Sequence, residues 1–469
     1  MDAFETELMQ RSPLAACVLE VSDFIFDDRL LESIWERHRG RCYEDVLGFE
    51  DFLRLMRDAL VHHGGSAHQL FVQLERDDAQ PIDESNFYRK LARTPVELSR
   101  ALLRECSARL AELMPRESQN TGLAGSLAGS LAGCLASCFD GFEVVACDGK
   151  KIKNAAKRLK PTRGYSGGLI GAKALVALSV RLGMAVAMSD SLDGMTNDVP
   201  MVPALMEQLR EVFERPILSI WDRQFDDVRT LGHLSAREGD GFVVRMKQVH
   251  TFVVESAVET HDARGRVVRD ETGMLGRGRN VMRVRRITLH REGEEDVVLL
   301  TNLMDPSMFS AADVLELYRR RWGIEQVFQQ VTETFALEHL IGSSPRAVLL
   351  QFAYCLLLYN LVQLIKTYVA ADGKVLATTV STFYLFNDIR RELLAWAYHT
   401  DGHWPRCNRN ARQMRERLRE LLRGSWDAIG YTKASDKHPR PKRPPPLRLH
   451  GGHSSVQRLL EGRAKVICT

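Results

Sequence analysis

The middle of the chain changes from helical patterns to short apolar runs, and this change limits the possible folds more than any other feature. An apolar run at 142–147 (FEVVAC) is followed by a paired run at 174–190 with a turn at Gly183. A helical segment, the apolar run 216–221 and a second helical segment come next. Short apolar runs bounded by turns indicate buried strands, and strands that alternate with helices indicate a mixed α/β core.

Two long segments follow this core pattern. Residues 241–303 alternate apolar and polar positions between Gly-rich and charged turns, which predicts a β-rich insertion. A helix is predicted from Ala311 to about Leu340, and the apolar segment Val348–Ala370 follows it. Polar residues interrupt that segment, so we expect a buried helix, and we expect no membrane partner.

Residues 1–118 have helical periodicity and are predicted to form a helical N-terminal DNA-binding domain. Thr94-Pro95 separates a short basic helix, predicted to end at Arg93, from a longer helix. A short turn between two such helices is typical of a helix-turn-helix DNA reader. It is equally typical of a plain helical bundle with a solvated basic face.

Charge and cysteine content exclude several classes of protein. The 64 Lys+Arg and 61 Asp+Glu give a net charge of +3, so the chain is not a histone-like binder, and any contact with nucleic acid must use local patches. Nine cysteines without a CxxC pair argue against a disulfide scaffold or a zinc module and favour a cytoplasmic location.

Three acidic residues have neighbours that suggest chemistry. Asp148 follows the first apolar run and Asp222 follows the run 216–221, so both are expected at the ends of neighbouring buried strands. Glu325 shares one face of its predicted helix with Tyr318 and Arg321. Each acid alone is more often a turn, cap or solvated residue, and the combination is more specific. Two aspartates and a glutamate suit a pair of Mg²⁺ ions for phosphodiester displacement.

A basic segment lies close to the first of these acids. Between residues 148 and 163 the only acid is Asp148. Such a segment suits a surface that follows a DNA backbone, and the alternative is a solvated loop. We call it the basic apron; its members are Lys150, Lys151, Lys153, Lys157, Arg158, Lys160 and Arg163.

The motifs around the acids resemble those of a known family. YRRRWGIEQVF, at 318–328, contains Tyr-x2-Arg-x3-Glu, the front part of the Y-R-E-K signature of bacterial insertion-sequence DDE transposases of the cut-and-paste type. VVACDGK resembles the first Asp block of that family, and ILSIWDRQF resembles the second. The resemblance covers roughly residues 80–370.

The resemblance implies an α/β fold with a ribonuclease-H-like catalytic core and a DDE triad. Asp148, Asp222 and Glu325 would be catalytic ligands of two Mg²⁺ ions, which Mn²⁺ can replace. Such enzymes act as homodimers on paired ends of double-stranded DNA, nick them to leave 3′-hydroxyls, and join these to target DNA. In bacteria they would work in the cytoplasm at the nucleoid. The expected DNA contacts are Tyr318, Arg321, Trp322, Thr332, Arg223, Lys150, Lys151 and Lys153.

Two departures from the family pattern leave alternatives open. Thr332 stands where the signature has its Lys, which removes a charge, and 241–303 contains no Trp, so a hairpin route is not predicted. One alternative is a DNA-binding descendant that has lost the chemistry. Another is a simple metal-dependent nuclease, which would not need Tyr318 and Arg321.

The expected organisation combines these segments. The predicted boundaries are a helical N-terminal domain (1–118), a low-complexity linker (119–140), the first part of the core (141–240), the β-rich insertion (241–303), the second part of the core with the signature helix (304–372), a helical C-terminal region (373–432) and a basic Pro-rich tail (433–469).

Overall fold

The computed structural model describes residues 7, 9–42, 47–77, 82–115, 135–247, 250–334, 341–400, 409–432 and 452–463. Within these residues the α-helices are α1 (Pro13–Ile25), α2 (Asp28–His38), α3 (Phe49–Val61), α4 (Ala67–Arg76), α5 (Glu84–Arg93), α6 (Val96–Glu112), α7 (Val202–Val212), α8 (Val228–Leu234), α9 (Ala311–Arg319), α10 (Trp322–Thr334), α11 (Pro345–Asp372), α12 (Thr382–Thr400), α13 (Ala411–Leu421), α14 (Ala428–Tyr431) and α15 (Val456–Leu460). The strands are β1 (Glu143–Lys153), β2 (Gly168–Ser179), β3 (Met184–Ser191), β4 (Ile217–Trp221), β5 (Gly241–Arg245), β6 (Phe252–His261), β7 (Val267–Arg277), β8 (Asn280–Leu289), β9 (Val297–Thr301) and β10 (His453–Ser455).

The strands form one large sheet in a mixed α/β fold, as the alternation of runs predicted. Its first five strands have the order β3-β2-β1-β4-β5. β2 runs antiparallel to both β1 and β3, whereas β4 is parallel to β1 and β5 is parallel to β4. The parallel strands therefore end at a common edge of the sheet, next to the helices that connect them.

The predicted boundary of the insertion at residue 241 is wrong. β5 pairs in parallel with β4, from Leu218 opposite Gly241 to Trp221 opposite Val244, and so belongs to the core sheet. β9 pairs with β5 on its other side, and β8, β7 and β6 continue the sheet outward. The β structure of this region was predicted from the alternation, but only the pairing separates β5 from the strands that follow it.

Helices cover both faces of the core sheet. Val145 and Cys147 pack on the face that carries α7 and α8. Val144 and Ala146 belong to the larger cluster on the opposite face, which includes α11 and the N-terminal helices. By length and composition α11 could cross a membrane, but 94% of its most apolar window is buried inside the protein. This confirms the prediction of a buried helix.

The two helices around Thr94-Pro95 form as predicted, and their role in DNA binding remains a prediction. Asp83 caps α5 by accepting from the N–H of Ser85 at 2.8 Å, and the extended Thr94 separates α5 from α6. α6 is the helix that such a motif would place in DNA, yet it packs against α11 and β3. Lys90 of α5 donates to the carbonyl of Leu47. The second helix is therefore packed inside the protein, whereas Arg89 and Arg93 of α5 are exposed.

Part of the region predicted as a basic Pro-rich tail contributes to the sheet. β10 pairs in parallel with the start of β2, with His453 opposite Gly168. Val456 and Leu459 of α15 are buried behind it. The Pro-rich part of the predicted tail, and most of the predicted linker 119–140, lie outside the described residues.

Candidate active site

Asp148 lies in the middle of β1 and not at its end, as the sequence had suggested. The strand continues to Lys153 because its pairing with β2 continues, with Asp148 opposite Val176. The parallel pairing of β1 with β4 ends earlier, at Ala146 opposite Ile220. Asp148 is therefore the next residue after Ala146 on the same face of β1, just beyond the end of the parallel pairing. The N–H of Gly149 donates to Asp148 Oδ1 at 2.8 Å.

Asp222 directly follows β4, as predicted, and so comes to the same edge of the sheet. It begins a short 3₁₀ turn, and its Oδ1 accepts from the N–H of Arg223 at 2.7 Å. Arg223 itself is half exposed, and its guanidinium lies 3.7 Å from the Glu295 carboxylate in the turn before β9. The predicted Arg223–DNA contact would therefore compete with an acid of the insertion.

The signature residues do not lie on one continuous helix. α9 ends at Arg319 and α10 begins at Trp322, and the turn between them is tightened by N–H bonds to carbonyls three residues back. The tighter turn still brings the predicted residues together. Arg321 Nη1 lies 2.8 Å from Glu325 Oε1 and 4.0 Å from Asp148 Oδ2, which places these two carboxylates less than about 7 Å apart.

Arg321 is the central cation of this cluster. Its side chain is 8% exposed, with the Tyr318 and Trp322 rings 5.8 and 5.7 Å from its guanidinium carbon. Trp322 itself is 60% exposed. Burial raises the pKa of Tyr318, which keeps its phenol protonated as a hydrogen-bond donor. The predicted contact between Arg321 and DNA phosphate remains a prediction, because the structure engages this guanidinium with carboxylates.

Burial raises the pKa of Asp148 to about 6. The negative charges of Glu325 and Asp222 also contribute to this increase, whereas the Gly149 N–H and the charge of Arg321 limit it. The strand register also places Asp222 beside Asp148, because each follows the last parallel pair, Ala146 opposite Ile220, by two residues. The third acid, Asp222, therefore belongs to the same electrostatic cluster as Asp148 and Glu325.

The donor chemistry of this cluster suits a hard divalent cation. All three side chains offer carboxylate oxygens, the ligands that Mg²⁺ prefers, and a bound cation would relieve their mutual repulsion. Among the described residues, no group of three or more His, Cys, Asp or Glu side chains is arranged to hold a metal ion. The pairing of Arg321 with Glu325 gives a physical reason, because a guanidinium contacts the oxygen that a metal would require. Ligation by Asp148, Asp222 and Glu325 thus remains a prediction.

The basic apron is largely exposed. Lys151 and Lys153 point to solvent from β1 while Ile152 between them is buried. The remaining members beyond β1, which are also exposed, are Lys157, Arg158, Lys160 and Arg163. Exposure agrees with the predicted phosphate-contacting surface and equally with a solvated loop, so the DNA contacts of the basic apron remain predictions.

Most arginines of the segment Arg277–Arg291 are paired with acids within the insertion. Arg286 pairs with Glu271 on the neighbouring strand β7, and Arg283 of β8 reaches past β7 to pair with Glu255 of β6. Arg285 is buried against Asp270. These acids lie far from the arginines in sequence, so the segment appeared as an unbalanced positive run.

Sequence reasoning missed a carboxylate that lies directly behind the cluster. Asp198 is buried, with its Oδ1 2.6 Å from Lys173 Nζ, and its Oδ2 accepts from Gln224 Nε2 at 2.9 Å. It also lies against the backbone of Gly149, where a Cβ atom would stand 2.3 Å from Asp198 Oδ1. Asp198 therefore connects the strand of Asp148 with the turn that follows Asp222. The Gly after Asp148 was the available signal, because it marks a close approach.

The site lies within a segment that matches the model of a known protein family. Residues 135–361 match the family model described as the transposase DDE domain, and this range includes all three acids of the cluster. The match supports a DDE transposase, a class with nuclease and strand-transferring activity. None of the curated proteins matches the chain.

Solved structures provide a weaker similarity. Six chains match, and one of them is a cryo-EM structure of a piggyBac transposase synaptic complex with hairpin DNA. The similarity covers 87% of this chain and 85% of that chain, at 13% sequence identity and a TM-score of 0.40. A TM-score this low does not by itself establish a shared fold.

Proposed function

We propose that this protein is a cut-and-paste DNA transposase of the Y-R-E-K group that cleaves the ends of an insertion sequence and joins their 3′-hydroxyls to target DNA. The observation that carries the proposal is the convergence of Asp148, Asp222 and Glu325 around Arg321, at the edge of the sheet where β1 and β4 part. The core that positions them would be ribonuclease-H-like, as the sequence resemblance implies. Three antiparallel strands followed by two parallel strands support this assignment.

Asp148, Asp222 and Glu325 would hold the metal, with Mg²⁺ as the natural ion and Mn²⁺ as a substitute. A divalent ion bound there supplies Lewis-acid stabilisation of phosphate oxygens and a more acidic water. The contribution of the chain is to hold three carboxylates together in a half-buried site, with Arg321 balancing their charge before the ion binds. Glu325 would have to release Arg321 to become a ligand, which frees the guanidinium for a DNA phosphate.

The exposed basic apron supports double-stranded DNA as the partner. Lys151 and Lys153 are exposed on the strand that carries Asp148, and their charges suit contacts with backbone phosphates. The homodimer on paired ends and the cytoplasmic, nucleoid-associated location belong to the same proposal. The described cysteines are free thiols, which is consistent with a reducing compartment.

The experiment is an end-cleavage assay. Duplexes taken from the DNA that flanks the gene are incubated with the protein and Mg²⁺, and 3′-hydroxyl nicks are mapped at nucleotide resolution. Asp148→Asn removes the charge at nearly constant shape and should abolish nicking while end binding persists. The matched control is Asp140→Asn, which changes an exposed aspartate in the turn before β1.

One alternative is favoured by a specific observation. The ion pair between Arg321 and Glu325, together with Thr332 at the signature Lys position, would also suit a descendant that binds ends without cutting them. Sequence-specific end binding by the wild type, without nicks in either Mg²⁺ or Mn²⁺, would favour that alternative over an active transposase.

A further inference from the structure

Lys150 and Thr332 meet across the gap between β1 and α10. Lys150 Nζ donates to Thr332 Oγ1 at 3.1 Å, although 182 residues separate the two in sequence. Thr332 Oγ1 in turn donates to the carbonyl of Phe328, one helical turn earlier, at 2.7 Å. A hydroxyl has one hydrogen and two lone pairs. Because the hydrogen is committed to the helix backbone, the lone pairs face Lys150.

A second contact fixes the same ammonium. The Phe328 ring lies 5.6 Å from Lys150 Nζ, within the range of a cation–π interaction. Phe328 and Thr332 occupy successive turns of α10, so one face of this helix offers a hydroxyl and a ring to the lysine. Both groups are uncharged, so they position the ammonium by a hydrogen bond and a ring contact.

This position lies beside the carboxylate cluster. Lys150 follows Asp148 by two residues on β1, and residues two apart in a strand share a face. Thr332 follows Glu325 by two helical turns on α10. Lys150 on β1 and Thr332 on α10 therefore each lie a short distance along their element from an acid of the cluster, Asp148 and Glu325 respectively.

A cavity of about 510 Å³ opens at this place, and four of the residues that line it are lysines. Lys173 in the lining is paired with Asp198, so Asp198 balances one of the positive charges. The other side chains that define the cavity come from β1 and α10. The lysines of the lining are Lys150, Lys151, Lys153 and Lys173.

We propose that Thr332 is a positioning residue that holds Lys150 so that its ammonium binds a backbone phosphate of the DNA strand at the carboxylate cluster. This inference rests on the proposed function. A lysine on the strand then provides the positive charge that the helix lacks at position 332. A neutral acceptor at 332 is required for this role, because a carboxylate there would neutralise the ammonium and a second lysine would repel it.

The test measures binding of a flanking-end duplex at several salt concentrations, with thermal unfolding of every variant as a check on folding. Lys150→Met keeps most of the side-chain stem and removes the charge. It should make the slope of log K against log salt shallower by about 0.9, the value for one lost phosphate contact. The control is Lys374→Met, which removes an exposed lysine beyond the end of α11 and should leave the slope unchanged.

Two further variants separate positioning from simple charge. Thr332→Val preserves shape without the hydroxyl and should weaken end binding several-fold, and Thr332→Ser should restore it. The exchange variant Lys150→Thr/Thr332→Lys returns the ammonium to the same gap from the helix side. It should recover the slope that Lys150→Met loses, which a purely structural role of Lys150 would not produce.

The outcomes distinguish this inference from the proposed function. A wild-type protein that does not bind end duplexes at any salt concentration contradicts the proposed function itself. Normal end binding with an unchanged slope in Lys150→Met overturns the assignment of Lys150 and leaves the transposase proposal intact. Equal affinity of Thr332→Val and the wild type shows that Thr332 does not position the lysine.

Discussion

Gly149→Ala should destabilise the protein through a single carboxylate. An ideal Cβ at this position lies 2.3 Å from Asp198 Oδ1 and 2.5 Å from its Cγ, whereas ordinary contacts begin at 3.4 Å. The Asp198 carboxylate must therefore retreat by about 1 Å. Its partners are close, with Lys173 Nζ at 2.6 Å and Gln224 Nε2 at 2.9 Å, so a shift of that size lengthens or breaks both contacts.

The expected magnitude follows from the burial of that ion pair. Removing one partner of a buried ion pair costs about 3–5 kcal/mol. A displaced carboxylate keeps part of the interaction, so we expect Gly149→Ala to lower the free energy of unfolding by about 2–3 kcal/mol. The gain from replacing a strand glycine, about 0.5–1 kcal/mol, is too small to reverse the sign.

Urea unfolding of a double-mutant cycle provides the assay. In the Asp198→Ala background the colliding oxygens are absent, so most of the cost of Gly149→Ala should disappear, with a coupling energy of at least about 1.5 kcal/mol. Gly141→Ala is the matched control, because no heavy atom of the described residues lies within 4 Å of its Cβ position. A cost that is the same in both backgrounds, or below about 0.5 kcal/mol in the wild type, would refute the reasoning.

Three other predictions concern pH, the N-terminal helices and the C-terminal segment. The pKa of about 6 for Asp148 exceeds the unfolded value of about 3.9, so ionisation of Asp148 opposes folding. The stability of Asp148→Asn relative to wild type, measured by urea unfolding, should therefore rise by up to about 3 kcal/mol between pH 4 and 7. A stability difference that stays constant with pH would contradict the shifted pKa. Asn360→Leu should cost about 2 kcal/mol in the same assay, because the buried Ala185 N–H loses its acceptor at 2.8 Å and α6 loses the link through Ser107; a neutral result would show that another acceptor replaces Asn360. Deleting residues 452–469 should lower stability by about 3–5 kcal/mol by exposing Val456, Leu459 and the sheet beneath them, and an unchanged melting temperature would mean that β10 does not support the core.

The sequence predicted the parts of the site that depend on local pattern. Asp222 was located correctly because PILSIW is a short apolar run that ends in a turn, and β4 ends at Trp221. Asp148 was predicted at a strand end because the lysines after it resemble a loop. In the structure β2 pairs with this basic stretch, so that Lys151 points outward and Ile152 inward.

Contacts between distant segments were not predictable from pattern. The break between α9 and α10 lies within a run that is helical by composition, and only packing reveals the tighter turn. Thr332 appeared to be a lost charge because Lys150, its hydrogen-bond donor, is 182 residues away. Asp198 gave no signal of its own, since an Asp before a helix is usually a cap.

The central claim is that Asp148, Asp222 and Glu325 bind the divalent metal that cleaves DNA. Anomalous diffraction from crystals of the full chain grown with Mn²⁺ and an end duplex tests it most directly. The account predicts anomalous peaks within about 2.0–2.5 Å of oxygens from all three carboxylates, with Arg321 moved from Glu325 to a phosphate. Crystals that contain DNA but show no peak at these carboxylates, with the 2.8 Å contact between Arg321 and Glu325 intact, would contradict it.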